Sequence, residues 1–165
     1  MSELRTNRIV PRDGLVSGAS GGVIQVVLFS LATGSTVTVN GTALVDVLTA
    51  TITPTRSDSK ILVQVTSAPK TNGGSANFQF GAQIQRNSTT IMYDNEYLQM
   101  NNGYAPNAFT GAYTVLDSPA STSALTYKFR CSRSVSGREL YFENSTVNTG
   151  NYYNKHTMTL MEVSA

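Results

Sequence analysis

The stretch LVDVLTATITPTRSDSKILVQVTS, residues 44–67, decides how this chain folds. Two runs rich in Val, Ile and Thr flank a short polar segment at 54–59. Such β-branched residues favour the pleated, half-buried surface of a sheet, and Pro54 ends the first run because proline lacks the N–H that a strand ladder needs. In the second run Leu62 lies on one face, opposite a second set on the other: Ile61, Val63 and Val65. The pattern predicts two core strands of a β-sandwich.

The rest of the chain also has strand character, and no segment shows the period of an amphipathic helix. Besides the two core strands, the predicted strands cover residues 23–31, 35–40, 77–86, 89–93, 110–116, 124–133, 139–144 and 155–163. We expect 77–86 to form a hairpin with 89–93, and 124–133 to pair with 139–144. In the last strand we expect the core side to consist of Met158, Leu160 and Val163. Nine or ten such strands predict an all-β fold: an antiparallel β-sandwich of jelly-roll or related Greek-key type.

Residues 1–22, MSELRTNRIVPRDGLVSGASGG, differ from this pattern and predict an extended N-terminal arm before a sandwich head at 23–165. Pro11 prevents a continuous helix, and the glycines near the end of the arm form a flexible linker. Arginines alternate with apolar residues, which is typical of a segment that docks on another subunit; a disordered tail is the alternative. The residues that we expect to dock are Arg5, Arg8, Ile9, Val10 and Pro11.

The composition restricts the classes of partner. Charged residues make up 13% of the chain, about half the usual share of roughly 25%, and the net charge is only +2. Low charge is typical of a protein whose surface is partly covered by neighbours. Lys and Arg are dispersed, so we expect no nucleic-acid partner. No apolar run reaches the length of a membrane span, and no apolar segment follows the N-terminus directly, so we expect no membrane insertion and no secretion.

Few residues are available for catalysis or metal binding. His156 and Cys131 are the single residues of their types, which argues against a nucleophile–histidine pair and against a zinc site. We expect His156 to be exposed or at a strand edge, and Cys131 to be buried or half-buried. Asp94 and Glu96 are close in sequence, but solvated loop charge explains them better than a glycosidase pair or a calcium site. The sequence therefore predicts no enzyme, no metal and no cofactor.

Two long polar segments, 94–109 and 144–154, are the candidates for recognition. They combine tyrosines with many asparagines, a mixture that suits either a carbohydrate or a protein partner, including a neighbouring subunit. Long loops are often functional. The residues that we select for head-loop recognition are Asn102, Tyr104, Tyr152 and Tyr153.

Four parts of the sequence have a familiar pattern: SELRTNRIVPRDG followed by VIQVV, then LTATITPTRSDSKILVQV, QIQRNSTTI and the closing TMTLMEVSA. These stretches resemble small tail-fibre and virion structural proteins of tailed bacteriophages, notably those that infect cyanobacteria. The resemblance implies a trimeric β-sandwich at the distal end and an N-terminal arm that anchors it to the particle. Low charge and the lack of an internal disulfide independently suit a closed cyclic assembly that hides strand edges.

These observations lead to one main hypothesis. The chain is a homotrimeric short tail fibre, made in the host cytoplasm and located in the virion, whose arm docks on the tail or baseplate and whose head contacts the host surface, with a surface glycan as a possible ligand. The alternative is a capsid cement or decoration protein, which the lack of a shaft between arm and head keeps open. A glycan-degrading head and a lectin-like free module are further classes, and the lone histidine argues against the former.

Overall fold

The computed structural model describes residues 22–71, 80–94, 110–133, 139–144 and 156–164. These segments contain eleven β-strands and no helix. The strands are β1 (Val23–Ser30), β2 (Thr36–Val39), β3 (Val45–Ile52), β4 (Lys60–Ser67), β5 (Lys70–Thr71), β6 (Phe80–Arg86), β7 (Thr89–Asp94), β8 (Gly111–Asp117), β9 (Leu125–Arg133), β10 (Leu140–Glu143) and β11 (Thr157–Val163).

Two four-stranded antiparallel sheets pack face to face. The β1 sheet has the order β1–β11–β4–β8, and the β3 sheet has the order β3–β9–β6–β7. A short third sheet, β2–β10–β5, joins them at one side. Successive strands repeatedly cross between the two large sheets, which is the topology of a jelly roll made from two Greek keys. The prediction of an antiparallel β-sandwich of jelly-roll type is confirmed.

The stretch 44–67 forms the corner between the sheets. Its two strands, β3 and β4, bury alternate side chains as predicted, but they lie in opposite sheets. β3 pairs with β9, while β4 pairs with β11 and β8. The polar segment between them is therefore a crossing from one sheet to the other.

Two predicted hairpins have different outcomes. β6 and β7 pair through the turn at Asn87, whose positive φ of 50° is a conformation that asparagine tolerates. The predicted pairing of 124–133 with 139–144 is wrong. β9 lies between β3 and β6, and β10 lies between β2 and β5, so both edges of each strand are already occupied.

The core lies between the two large sheets and is almost entirely aliphatic and aromatic. Its largest fully buried apolar side chains are Tyr127, Phe129, Phe142, Leu48, Ile52, Ile61, Ile84, Leu140, Met158 and Leu160. Phe129 packs against Tyr113 with ring centroids 5.5 Å apart and edge-on against Phe142 at 6.5 Å. Cys131 is fully buried, as predicted, and burial raises the pKa of its thiol.

The last strand corrects the expected core side. Met158 and Leu160 are buried as predicted, but Val163 lies on the outer side and Glu162 is buried in its place. Side chains alternate strictly along a strand, so residues 158, 160 and 162 share one face. The expectation for Val163 is wrong because a charged residue occupies the inward position.

Candidate functional site

The outward side of the β1 sheet carries a row of apolar side chains that crosses all four strands. The strand register places Val26 beside Met161. Met161 lies beside Leu62, and Leu62 lies beside Leu116. The next row along the strands consists of Leu28, Thr159, Gln64 and Thr114. Five of these eight side chains are apolar, and we call the two rows together the apolar face.

The apolar face is open to solvent, most of all at the two edges of the sheet. The exposed fractions are 57% for Val26, 65% for Leu28 and 52% for Leu116. Neither row contains a charged side chain. Isolated exposed apolar residues are ordinary, but a continuous apolar stripe on a sheet is a typical interaction surface.

The local sequence of β1 explains its part of this surface. VIQVVLFS is apolar at six of its eight positions, the exceptions being Gln25 and Ser30, so both sides of the strand are mostly apolar where an ordinary edge strand would alternate. β1 is also an edge strand of its sheet, and its sequence has neither the lysine nor the proline that often protects such edges. Both features make β1 the most exposed apolar element of the described residues.

The outward side of the β3 sheet is different, because its charged groups pair with one another. Asp46 accepts hydrogen bonds from Lys128 at 2.6 Å and from Arg130 at 2.7 Å. Arg130 also donates to Gln83, which donates in turn to Thr90. Burial raises the pKa of Asp46, but the bonds from its two cationic partners outweigh that effect and lower it. The charges of this surface are largely satisfied within it.

The buried Glu162 carboxylate holds the crossing segment in place. Its Oε1 accepts hydrogen bonds from the Thr55 amide at 2.8 Å and from the Thr55 hydroxyl at 2.9 Å, with the Arg56 amide at 3.3 Å. Its Oε2 accepts from Gln25 at 2.6 Å. Burial raises the pKa of Glu162, but the hydrogen bonds from Gln25 and Thr55 outweigh that effect and lower the pKa, so the group is held as a carboxylate. Both oxygens are engaged in structural contacts.

His156 is buried, so the expectation of an exposed or edge position is wrong. Its Nδ1 lies 3.3 Å from the Ala68 amide, which donates to it, and 2.8 Å from the Ser67 hydroxyl. Its Nε2 therefore carries the proton and donates to the Glu143 carbonyl at 3.2 Å. Burial lowers the pKa of the ring. The imidazole is a neutral link between strands and packs edge-on against Phe142.

One ion pair joins the two large sheets near the end of the sandwich. Arg86 of the β3 sheet donates to both oxygens of Asp117 in the β1 sheet, at 2.7 and 2.6 Å. The buried Tyr127 hydroxyl donates to the same carboxylate at 2.7 Å. Burial, followed by this contact, raises the pKa of Tyr127. The cluster is a cross-link between sheets.

The residues that the sequence singled out for recognition lie outside the described residues. These are the arm residues Arg5, Arg8, Ile9, Val10 and Pro11, and the head-loop residues Asn102, Tyr104, Tyr152 and Tyr153. Glu96 lies outside them as well, while Asp94 ends β7 and is half-buried. The proposed division into arm and head is likewise a prediction.

The sequence did carry a signal for the apolar face. Leu62, Met161 and Leu116 occupy the outward phase of strands whose inward phase is also apolar. Only the strand order places them side by side.

Among the described residues, no group of three or more His, Cys, Asp or Glu is placed to hold a metal ion. No helix in the same segments is long and apolar enough to cross a membrane.

Comparisons with known proteins give a likeness of fold. No protein-family model matches the sequence, and no curated protein is similar to it. Dimeric latent PorU from Porphyromonas gingivalis superimposes with a TM-score of 0.51 at 10% identity, over 88% of this chain and 13% of that one. The VP2 subviral particle of infectious bursal disease virus gives 0.42 at 12% identity, over 97% and 46%.

A tailspike domain is also among the similar structures. Tailspike protein 4 of bacteriophage CBA120, in its enzymatically active domain, gives a TM-score of 0.28 at 11% identity, over 72% of this chain and 18% of that one. This chain thus spans less than half the length of each of these proteins. At such identities the likeness concerns the β-sandwich alone, and the surfaces described above are properties of this chain.

Proposed function

We propose that this chain is a non-enzymatic structural component of a bacteriophage virion. In this proposal it is a homotrimeric short tail fibre, with residues 1–22 anchoring it to the tail and the jelly-roll head directed at the host surface. The observation that carries the structural role is the apolar face, a neutral surface that crosses a whole sheet of a jelly roll. Such a surface suits permanent contact with other protein.

The polar groups inside the head support a structural role. Glu162, His156 and Asp117 each have their hydrogen-bonding capacity directed to neighbouring strands or turns. A catalytic acid or base instead needs an open side on which a substrate can lie within hydrogen-bond reach. In the described residues, these groups act as links that hold the sandwich together.

The sequence stretches that resemble phage virion proteins support the virion part of the proposal. LTATITPTRSDSKILVQV covers the corner made by β3 and β4, QIQRNSTTI covers the β6–β7 hairpin, and TMTLMEVSA covers β11. These are framework elements of both large sheets. The resemblance therefore concerns the residues that build the jelly roll, and the ligand of the head is a separate question.

Location in the intact particle tests this proposal. Electron cryomicroscopy of particles should show a three-fold density on the tail that accommodates the jelly-roll head, and the density should disappear in particles made without this chain. Density at capsid lattice positions would replace the fibre by a capsid cement or decoration protein. Absence of the chain from purified particles would overturn both.

The N-terminal anchor has its own test. A chain that begins at Val23 should fold as the full chain does, as judged by circular dichroism, but should no longer associate with particles. Substitution of Arg5 and Arg8 by Ala should weaken the association in the same direction, with Ser17→Ala as a control within the arm. Full incorporation of the truncated chain would contradict the anchoring role.

A further inference from the structure

We propose that His156 is an acid-sensitive latch at one end of the sandwich: protonation of its ring releases the corner between β4 and β5, while the opposite end, held by Glu162, stays closed. The latch is a property of the single chain and does not depend on the proposed place in a virion. It consists of the buried imidazole and the groups bonded to it, which are the Ser67 hydroxyl, the Ala68 amide and the Glu143 carbonyl.

Several parts of the fold meet at His156. Its ring reaches the end of β4 through Nδ1 and the end of β10 through Nε2. Its backbone carbonyl accepts a hydrogen bond from the Leu31 amide, directly after β1, at 3.0 Å. β4 belongs to the β1 sheet and β10 to the third sheet, so the ring joins these two sheets. The protonation state of one side chain therefore acts on a contact between sheets.

A proton on Nδ1 changes one of these bonds in particular. The neutral ring accepts from the Ala68 amide at 3.3 Å and lies 2.8 Å from the Ser67 hydroxyl. A protonated Nδ1 is a donor, as the amide is, so two donors would face each other. The Ser67 hydroxyl can rotate and accept instead, and Nε2 keeps its bond to the Glu143 carbonyl. Protonation thus removes the acceptor of the Ala68 amide, which lies at the corner.

The surroundings of the ring favour its neutral form. In the described part of the chain, Glu143 of β10 is the charged residue that acts on it, and the Glu143 carboxylate is itself paired with Lys70 of β5. The groups that the end of β4 and the end of β1 bring to His156 are uncharged: Ser67, Ala68 and Leu31. Burial outweighs both the bond to the Glu143 carbonyl and the attraction of its carboxylate, and it lowers the pKa of His156. A proton therefore binds more readily once the ring is released.

The pH range of the latch follows from the direction of this shift. The pKa of the folded ring lies below the ordinary value of 6.5, so the stabilisation is fully present above pH 6.5 and is lost as the pH falls through the folded value. One proton makes release up to about tenfold more favourable per pH unit. Glu162, at the opposite end, keeps its full contribution above pH 4.5. Of these two groups, acid between pH 6.5 and 4.5 therefore acts on His156.

The corner that the ring holds is weakly attached elsewhere. β5 is two residues long and pairs with β10 at two positions. Pro69, between β4 and β5, has no amide hydrogen to donate. The ion pair of Lys70 with Glu143 is partly exposed and contributes little. A segment with few hydrogen bonds can open locally while the rest of the sandwich stays folded.

Hydrogen exchange of single amides tests the latch in the full chain. Between pH 6.5 and 4.5, the protection of the Ala68 amide, corrected for its intrinsic exchange rate, should fall by up to about tenfold per pH unit. Two amides are controls: that of Leu31 bonds to the backbone of His156, and that of Thr55 bonds to Glu162. Both should keep their protection. The fall at Ala68 should level off where the folded ring titrates, which NMR reads directly because the chain has one histidine.

Two variants assign the acid response to its residue. His156→Gln keeps an acceptor for Ala68 but is neutral at every pH, so its Ala68 protection should not change over this range. Glu162→Gln is the matched control at the opposite end, and it should leave the acid response of Ala68 as in wild type. If His156→Gln does not fold, the three amides of the wild-type chain decide alone. Constant Ala68 protection in wild type, an equal fall at all three amides, or the same fall in His156→Gln would overturn the latch.

Discussion

The two large sheets distribute charge in opposite ways. The β1 sheet buries the Glu162 carboxylate on its inner side and exposes an apolar face on its outer side. The β3 sheet has an apolar inner side, with Phe129 at its centre, and pairs Asp46 with Lys128 and Arg130 outside. The charged groups on the outer side of the β3 sheet thus pair with one another, whereas the outer side of the β1 sheet leaves apolar side chains open to solvent. The two outer surfaces of one jelly roll therefore differ in chemistry: one suits solvent, and the other suits the contact with protein that is proposed above.

The largest expected effect is the loss of the buried charge in the β1 sheet. Glu162→Ala removes the acceptor of the Thr55 and Arg56 amides and should lower the free energy of unfolding by about 3 kcal/mol. Urea denaturation of dilute protein at neutral pH measures it. Glu162→Gln keeps the shape and one acceptor oxygen, and should lose less. Equal stability of Glu162→Ala and wild type would show that the buried carboxylate does not stabilise the β1 sheet.

Acid should weaken the hydrogen bonds that the Glu162 carboxylate accepts from the crossing segment. The pKa of Glu162 in the folded chain lies below its ordinary value of 4.5, so the unfolded chain binds more protons at mildly acidic pH. The stabilisation is fully present above pH 4.5 and is lost as the pH falls through the folded value. The difference in urea midpoint between wild type and Glu162→Gln should therefore narrow on acidification. Because both proteins contain His156, its own titration cancels; a constant difference would contradict the prediction.

The cross-link between the two sheets should have a smaller effect. Tyr127→Phe removes one hydrogen bond to Asp117 but leaves the ion pair between Asp117 and Arg86. It should therefore lower the free energy of unfolding by about 1 kcal/mol. A double-mutant cycle with Asp117→Asn isolates the contact between the two side chains. Additive losses in that cycle would show that the hydrogen bond between Tyr127 and Asp117 does not couple the two sheets.

The outer charges of the β3 sheet should contribute still less to the free energy of unfolding. Asp46→Asn breaks two partly exposed ion pairs and should lower the free energy of unfolding by about 0.5 kcal/mol. Most of this cost should vanish at about 1 M salt, where the screening length is roughly 3 Å. The salt dependence of the unfolding midpoint, compared with that of Glu162→Gln, distinguishes an exposed charge from a buried one. An equal salt response in both variants would contradict the contrast.

The smallest expected effect on folding concerns the apolar face. Leu116→Thr should change the stability of dilute protein by no more than about 0.5 kcal/mol, because the side chain is half exposed at the sheet edge. It should nevertheless reduce binding of a hydrophobic dye and weaken association of the chain with particles, because the proposed contact with other protein uses this face. A loss of stability without any change in association would mean that this leucine serves the fold of a single chain.

The sequence by itself determined the strands, because side chains alternate across a sheet and the pattern is local. Stretch 44–67 shows its inner and outer residues without any tertiary information, and the buried Cys131 follows from the same alternation. It also predicted the β6–β7 hairpin from a two-residue turn. Arm docking and head-loop recognition stay predictions, since their residues lie outside the described part.

Tertiary structure decided what depends on strands that are distant in the chain. Glu162 is buried only because the crossing segment brings the amides of Thr55 and Arg56 to it, and His156 is buried because Ser67 lies opposite it. The apolar face exists only because β1, β11, β4 and β8 become neighbours in that order. Periodicity shows which way a side chain points along its own strand, whereas its neighbour in the next strand is set by long-range pairing that local sequence does not encode.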